Sequence, residues 1–415
     1  MSPAALSVLA LVLVMAASFG TRLNVGVLAV ALAWPIAVYV AGWKPDALMA
    51  VFPASLFVTL LGVTLLFGIT QANGTMAALT QRALRACGGR AGWLPAMLFG
   101  LSCTVSAMGP GAIAASALLA PVGMAAGVQA GLSPLLAALM IGNGANAGNL
   151  SPFSAVGVIV AAGMVKAGVP GHAWQVFAAN FVAHLLAAGL AWLAFGGPRL
   201  LRDDTRVDVG EVPPLTRQHW LTLAVGAAWV VAVVGLKVNL GLAAFAAASV
   251  LVLLRACEDG AMLRQVPWAV IVMVCGVSVL IGVLEGTGGL DLFSGALARI
   301  ATPASVNGVI AFVTGAISTY SSTSGVVYPT FLPAIPSLVA KLGGGDPLQI
   351  ALSINVGAAL VDVSPLSTIG ALCIAALPAG EQTPLLFRRM LTWGLAMTLV
   401  GAAFCQFGIR FFAFR

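Results

Sequence analysis

Charge is what this sequence has least of. Only 7% of its 415 residues are Asp, Glu, Lys or Arg, against about 25% in a soluble domain. That is too little to cover a water-facing surface, which excludes an ordinary soluble fold. Histidine is nearly absent, with three residues (His172, His184, His219) far apart in the chain. They form no ligand set and read as packed or interfacial residues. The six cysteines (Cys87, Cys103, Cys257, Cys275, Cys373, Cys405) show no CxxC spacing, and three sit inside apolar runs. They read as free thiols, with neither a disulfide framework nor a metal centre. No Walker A motif is present, which argues against coupling to ATP. The net charge of +7 is no nucleic-acid signal, because the basic residues are scattered and not set in a stripe with aromatics.

What is present is apolar. Hydrophobic residues make up 60% of the chain, in runs of roughly 20 residues that suffice to cross a bilayer as helices. The first run, Ala4 to Ser18, lacks a basic segment before it and is followed by similar runs. It reads as a retained helix and not as a signal peptide. The expected class is an all-α, multi-pass membrane protein of the inner (cytoplasmic) membrane.

One long polar segment, Gly196 to Gln218, divides the chain. It holds Arg199, Arg202, Asp203, Asp204, Arg206, Asp208, Glu211 and Arg217. Across it the sequence repeats itself. Gly62-Val63-Thr64-Leu65-Leu66-Phe67-Gly68 matches Gly276-Val277-Ser278-Val279-Leu280-Ile281-Gly282. Pro134-Leu135 matches Pro347-Leu348, Gly144-Ala145 matches Gly357-Ala358, and Ser151-Pro152-Phe153-Ser154 matches Ser364-Pro365-Leu366-Ser367. The offset stays at 213 or 214 over about 95 residues. Residues 1–195 and 219–415 therefore read as two repeats joined by a cytoplasmic linker, 196–218.

Each repeat reads as three spans (5–19, 23–42, 55–72; then 219–236, 238–254, 268–286). Next comes a re-entrant hairpin of short arms, 94–127 and 305–340, and a long segment broken near a Ser-Pro, 133–166 and 347–378. A last span closes each half, 173–195 and 389–410. Five crossings per half invert the second repeat relative to the first. With Gln81–Arg90 placed inside, twelve Lys and Arg fall on the cytoplasmic side and seven outside, the sign that membrane topology favours.

Broken helices aim their ends at bound ions. A helix N-terminus carries about half a positive charge and suits a carboxylate, whereas unwound carbonyls suit Na⁺. The first hairpin tip is Ser106-Ala107-Met108-Gly109-Pro110-Gly111, whose glycines let backbone approach a ligand. The second, Ser318-Thr319-Tyr320-Ser321-Ser322-Thr323-Ser324-Gly325, offers hydroxyls to an anion or a cation. Such hydroxyls can also simply cap helices. In the first break, Asn143, Asn146 and Asn149 lie three residues apart on one helix face, facing either a polar cavity or another helix. In the second, Asp362 stands where Asn149 stands. It is the one acid deep in a predicted membrane segment, where a carboxylate is costly and by default functional. It can ligate a cation, carry a proton, or hydrogen-bond the other repeat. Glu285, the counterpart of Gln71, reads as interfacial.

This pattern resembles the ion transporter superfamily, specifically the divalent anion/sodium symporters. The first 195 residues resemble the MatC-type dicarboxylate (malonate) carriers, through Phe52-Pro53-Ala54-Ser55, Leu66 through Gly74, and Gly142 through Ser154. The resemblance implies an elevator-type homodimer in which hairpin tips hold substrate carboxylates and tips with breaks hold two Na⁺. Carried over by position, the substrate residues are Gly109, Pro110, Gly111, Ser151, Pro152, Ser322, Thr323, Ser324, Ser364 and Pro365. The cation residues, for Na⁺, are Ser106, Asn143, Asn146, Asn149, Ser318, Thr319 and Asp362. The first tip departs from the family's Ser-Asn-Thr, so backbone groups, Ser106 and the three asparagines must substitute there. The expected function is secondary transport of a small dicarboxylate with Na⁺ or H⁺, without a cofactor. The alternative is a Na⁺/H⁺ antiporter or metalloid exporter of the same superfamily. No nucleophile–base pair suggests an enzyme, and occluding hairpins suit a carrier better than a channel.

Overall fold

The computed structural model describes residues 1–20, 23–86, 91–200, 214–319, 321–378 and 383–414. Cys87, Arg22, Arg90, Tyr320, Arg415 and most of the linker, with Arg202, Asp203, Asp204, Arg206, Asp208 and Glu211, lie outside the described residues. Every regular element among the described residues is helical. A chain in lipid must satisfy its backbone internally, and helices do so within one segment.

The first half runs α1 (Pro3–Gly20), α2 (Val25–Pro35), α3 (Pro45–Ala50), α4 (Ala54–Ala72), α5 (Thr75–Ala86), α6 (Leu94–Ala107), α7 (Gly111–Gln129), α8 (Pro134–Asn149), α9 (Ala155–Lys166) and α10 (Ala173–Ala194), then the short α11 (Gly197–Leu200). The second runs α12 (Arg217–Gly235), α13 (Leu240–Leu253), α14 (Asp259–Gln265), α15 (Trp268–Thr287), α16 (Gly289–Ala298), α17 (Val306–Ser318), α18 (Tyr328–Phe331), α19 (Ile335–Leu342), α20 (Pro347–Leu360), α21 (Thr368–Ala375) and α22 (Thr383–Gly408). Helix starts recur at the spacing found in the sequence: α4 and α15, or α5 and α16, begin 214 residues apart, and α8 and α20 begin 213 apart. The spans predicted over 55–72, 173–195 and 268–286 agree with α4, α10 and α15 within a residue or two. The short helices α3, α5, α14 and α16 lacked an apolar run long enough to be read.

Among the described residues, five helices are long and apolar enough to cross a membrane: α4, α7, α10, α15 and the segment 383–411. α7 exceeds the short arm expected there. It has 19 residues and continues through Pro121. The matching arm in the second half is divided into Thr323–Phe331 and Ile335–Leu342, bent by 45°. Pro333 lies between the pieces and supplies no backbone donor, and Pro336 suits the first turn of α19.

Glycines set the crossings that bind the halves together. A Cβ on Gly62 of α4 would lie 2.3 Å from the Gly241 carbonyl of α13, and one on Gly276 of α15 would lie 2.2 Å from the Gly26 carbonyl of α2. Each half thus packs its second helix against the other half's α4 or α15, with backbones close enough that only glycine fits. At the centre lie the two broken helices. Every residue of α8 from Leu135 to Asn149 is buried, as is α20 from Ile350 to Leu360.

Candidate functional site

Both breaks are built alike. After α8 and after α20 comes Ser-Pro-x-Ser, and its second serine caps the next helix. The Ser154 hydroxyl accepts from the Gly157 N–H at 2.9 Å and donates back to the Asn149 carbonyl. Ser367 accepts from the Gly370 N–H at 3.2 Å and donates to the Asp362 carbonyl at 2.5 Å. A Cβ on Gly157 or Gly370 would fall 1.9 or 2.1 Å from the carbonyl of Ser151 or Ser364. The sequence reading picked the Ser-Pro pair. The capping serine three residues on, visible as Ser before an apolar run, is what fixes the turn.

A cavity of about 270 Å³ lies where the two hairpin tips meet the second break. α4 contributes Thr64, Phe67, Gly68 and Gln71. The first tip contributes Pro110 through Ala114, α8 its last residue Asn149, and α9 its first residues Ala155 and Val156. Gln265, Pro267 and Val270 come from the α14–α15 junction, Thr323 and Ser324 from the second tip, and Asp362 and Ile369 from the second break. Gly68 brings α14 close: its Cβ would sit 3.0 Å from the Met262 carbonyl and 3.2 Å from Gln265 Cβ.

At the first tip, Gly109 has φ of 140°, and a Cβ there would lie 1.7 Å from the Phe67 ring. The tip is tied to the break twice. The Ala155 N–H donates to the Gly109 carbonyl at 3.2 Å, and the Ala112 N–H donates to Asn149 Oδ1 at 2.9 Å. With its oxygen so committed, Asn149 lines the cavity with its NH₂ left as a donor. The first turn of α7 faces the same space, so amide donors and a helix N-terminus converge there.

At the second tip, Ser318 donates to the Ala358 carbonyl of α20 at 2.8 Å and is hydrogen-bonded to Thr323. Thr323 stands beside the Asp362 carboxyl. Asp362 is half-buried, and among the described residues lining the cavity it is the only ionisable one. Tyr328 is also close to it and donates to the Asn355 carbonyl at 3.1 Å.

Of the residues singled out from the sequence, the cavity unites Pro110, Gly111, Asn149, Thr323, Ser324 and Asp362. The others do not line it. Thr319 donates to the Gly315 carbonyl at 3.0 Å, and Ser322 caps the Gly325 N–H at 3.1 Å. Ser364 is buried, accepting from the Leu366 N–H at 3.3 Å, with Pro365 buried beside it. Ser106 is buried and Pro152 half-buried. The amide face divides by position. Asn143 makes a helix–helix contact, accepting from His184 Nδ1 at 3.0 Å and donating to the Leu139 carbonyl at 2.9 Å. Asn146 is buried at the same α8–α10 seam, where its carbonyl accepts from Asn180 at 2.7 Å. Only Asn149 reaches the cavity. Thr64, Gln71 and Gln265 were not among the expected site residues, although Thr64 lies in the repeated heptapeptide and Gln71 in the Leu66–Gly74 stretch that resembles the MatC carriers.

A second cavity, about 650 Å³, adjoins the first across Phe67 and includes Ser151. Phe67, Trp229, Phe153 and Trp174 form a chain of edge-to-face rings 5.8 to 6.4 Å apart along it. Its hydroxyls at Thr70, Thr104 and Thr222 donate to backbone carbonyls at 2.7 to 2.8 Å, so its character is apolar.

Residues 1–149 match the family model described as Dicarboxylate carrier protein MatC N-terminus. The match ends at Asn149, the last residue of α8 and the first break. No curated protein matches the chain in sequence. Among solved structures, the YdaH transporter of Alcanivorax borkumensis is similar over 99% of both chains, with a TM-score of 0.61 and 15% identity. MtrF of Neisseria gonorrhoeae, described as illuminating a class of antimetabolite efflux pumps, is similar over 98% of this chain and 94% of its own, with a TM-score of 0.58 and 14% identity. At such identities the likeness is one of fold: this chain has the fold of membrane transporters over its whole length.

Proposed function

We propose that this protein is a secondary carrier of a small dicarboxylate, driven by Na⁺ or H⁺, that works by alternating access between two inverted repeats. The observation that carries the reading is the cavity itself. It joins both hairpin tips to a break bearing a lone intramembrane acid. The Asn149 amide and the N-terminal turn of α7 suit a carboxylate. Thr323 and Ser324 supply hydroxyls, and Asp362 with Thr323 forms the cation side. The match of the first 149 residues to dicarboxylate carriers supports the substrate class. An elevator movement and a homodimer in the inner membrane complete the reading. The solute is moved without chemical change.

A second reading is export of an aromatic compound, and the aromatic cleft beside the solute cavity favours it. Uptake of labelled malonate and succinate into proteoliposomes, with Na⁺, proton or no gradient, tests both. Gradient-driven diacid accumulation is the expected result. Its absence under every gradient, with an aromatic solute transported instead, selects the exporter.

A further inference from the structure

The aromatic cleft of about 650 Å³ behind the first hairpin tip offers little to a polar guest. Thr70, Thr104 and Thr222 donate to carbonyls of their own helices. Thr75 donates to Asn73 Oδ1 at 2.7 Å, and the Ser151 hydroxyl accepts from the Phe153 N–H at 3.3 Å. The rest of the lining is aliphatic and aromatic, with Phe67 as the wall shared with the solute cavity. Met108, Trp174 and Val230 line the cleft and are exposed. The cleft therefore opens at the surface among apolar side chains, where a membrane protein meets lipid.

Its depth and its ends are those of one leaflet. Along α12 the lining runs from Thr222 to Val230, about 12 Å of helix, and one leaflet holds roughly 15 Å of hydrocarbon. The outer end is the corner where α4 meets α12. Asn73, just past α4, donates to Thr222 at 2.8 Å, and its carbonyl is hydrogen-bonded to His219 Nε2 at 3.1 Å. The inner end is the hairpin tip at Met108. α5 covers the outer end with Met76 and Leu79. Arg82 continues that row three residues on, and the exposed Arg85 follows it. The helices around the cleft, α4, α5, α6, α10 and α12, have no Asp or Glu in their sequences. Their basic residues are Arg82, Arg85 and Arg217, the last at the start of α12, before Thr222. Basic side chains beside an apolar helix row suit an anionic headgroup at a membrane surface.

We propose that the cleft is a site for an anionic phospholipid. One acyl chain runs from α5 to the hairpin tip, and the phosphate pairs with Arg82 and Arg85. The chain finds matching depth, apolar walls and an opening to the bilayer, and the headgroup supplies the negative charge that α5 can pair. The position gives the lipid a consequence. One wall belongs to α6 and α10, which both pack on α8, and the other to α4, α5 and α12. A chain seated between them touches the Phe67 ring, against which Gly109 of the tip is packed. Lipid occupancy is thereby tied to the seating of the first tip.

Trp229 reports on the site, because it lines the cleft yet is only 4% exposed, so chains outside do not touch it. Purified full-length protein in detergent is titrated with phosphatidylglycerol or phosphatidylcholine carrying brominated chains, which quench tryptophan on contact. Trp229→Phe is the reference for the other tryptophans, and thermal unfolding checks that each variant is folded. The quenching that depends on Trp229 should saturate at about 5- to 30-fold less phosphatidylglycerol than phosphatidylcholine, the worth of one or two basic residues at a membrane surface. Arg82→Gln with Arg85→Gln should erase that preference and leave the quenching. Gly226 lines the cleft, and a Cβ there meets nothing within 4 Å. Gly226→Phe should therefore fill the space and abolish the quenching, and the smaller Gly226→Leu should reduce it. Absence of any quenching that depends on Trp229, or quenching that survives in folded Gly226→Phe and Gly226→Leu, overturns the acyl-chain site. Equal titration by the two lipids overturns the headgroup pairing. Relief of quenching by an aromatic acid that is itself transported assigns the cleft to a solute and overturns the lipid.

Discussion

Gly109→Ala is the sharpest test of how the first hairpin tip is seated. The new Cβ would stand 1.7 to 2.2 Å from three atoms of the Phe67 ring, where contact requires about 3.5–4.0 Å. The ring or the tip must move by roughly 2 Å to restore that contact. Phe67 packs edge-on against Trp229 between the two cavities, so the ring can yield only by giving up that packing. Overpacking of this kind costs about 1–3 kcal/mol. The backbone adds to it, because φ of 140° is nearly closed to residues with a Cβ, at about 1–3 kcal/mol. Phe67→Ala alone opens a cavity worth about 3–5 kcal/mol. In the double variant the clash disappears and only the backbone strain and the cavity remain. The two changes should therefore be less than additive by about 1–3 kcal/mol. Thermal unfolding of the four proteins in detergent reads this coupling, with proteoliposome uptake as the functional measure. Gly109→Ala with a normal unfolding midpoint and normal uptake would refute the argument. So would losses that simply add.

Other outcomes follow from the same geometry. Thr323→Ala with Ser324→Ala should leave the fold intact and raise the half-saturation concentration about 10- to 150-fold, the worth of one charge-assisted hydrogen bond; an unchanged value removes the second tip from the site. Asp362→Asn should abolish gradient-driven accumulation yet spare solute exchange, and wild-type accumulation under every gradient would leave the acid a structural role. Gly276→Val should prevent assembly, since even one carbon there meets the Gly26 backbone; folded, monodisperse protein in detergent would show that the α2–α15 crossing yields more easily than it looks.

The fold was legible because lipid leaves the backbone so few options. Long apolar runs could only be helices, and the constant offset tied the halves together before any contact was known. The site was legible in part, for a reason the asparagines illustrate. Spacing placed Asn143, Asn146 and Asn149 on one face, but a face 16 residues long meets different neighbours along its length. Asn143 meets His184 on α10, and Asn149 meets the hairpin and the cavity. Sequence periodicity identifies the face and is silent on the neighbour. The hydroxyls of the second tip divide similarly: Thr319 and Ser322 bond nearby backbone, a role available to any helix end, while Thr323 and Ser324 face the cavity. Gln265 belongs to no motif and enters the cavity because Gly68 lets α14 approach α4.

The two repeats share their break geometry and differ where the chemistry is placed, and the hairpin tips account for the difference. An α-helix begins with unpaired N–H groups that need acceptors. The first tip, Met108-Gly109-Pro110, offers no side-chain acceptor, and Pro110 makes no side-chain cap for α7. The break supplies it: Asn149 takes the Ala112 N–H. In the second repeat the corresponding N–H, on Gly325, is taken locally by Ser322. The residue matching Asn149 is thereby released from capping, and it is Asp362. The departure of the first tip from a hydroxyl-rich sequence and the replacement of an amide by an acid are thus one arrangement: one break caps the hairpin, and the other leaves its acid free of capping for the cation role proposed above. Asn149→Asp tests this directly. A carboxylate keeps the acceptor for Ala112 and caps a helix at least as well as an amide, so unfolding should change by less than about 1 kcal/mol. The donor toward the solute is lost and a second negative charge enters the cavity. Affinity for an anionic solute should fall by about 30-fold, the effect of one charge roughly 8 Å away at an effective dielectric of about 20. Normal affinity in a stable Asn149→Asp protein would place the anion elsewhere, and marked instability would mean that Asn149 holds the hairpin through its NH₂ group and not through the oxygen bound to Ala112.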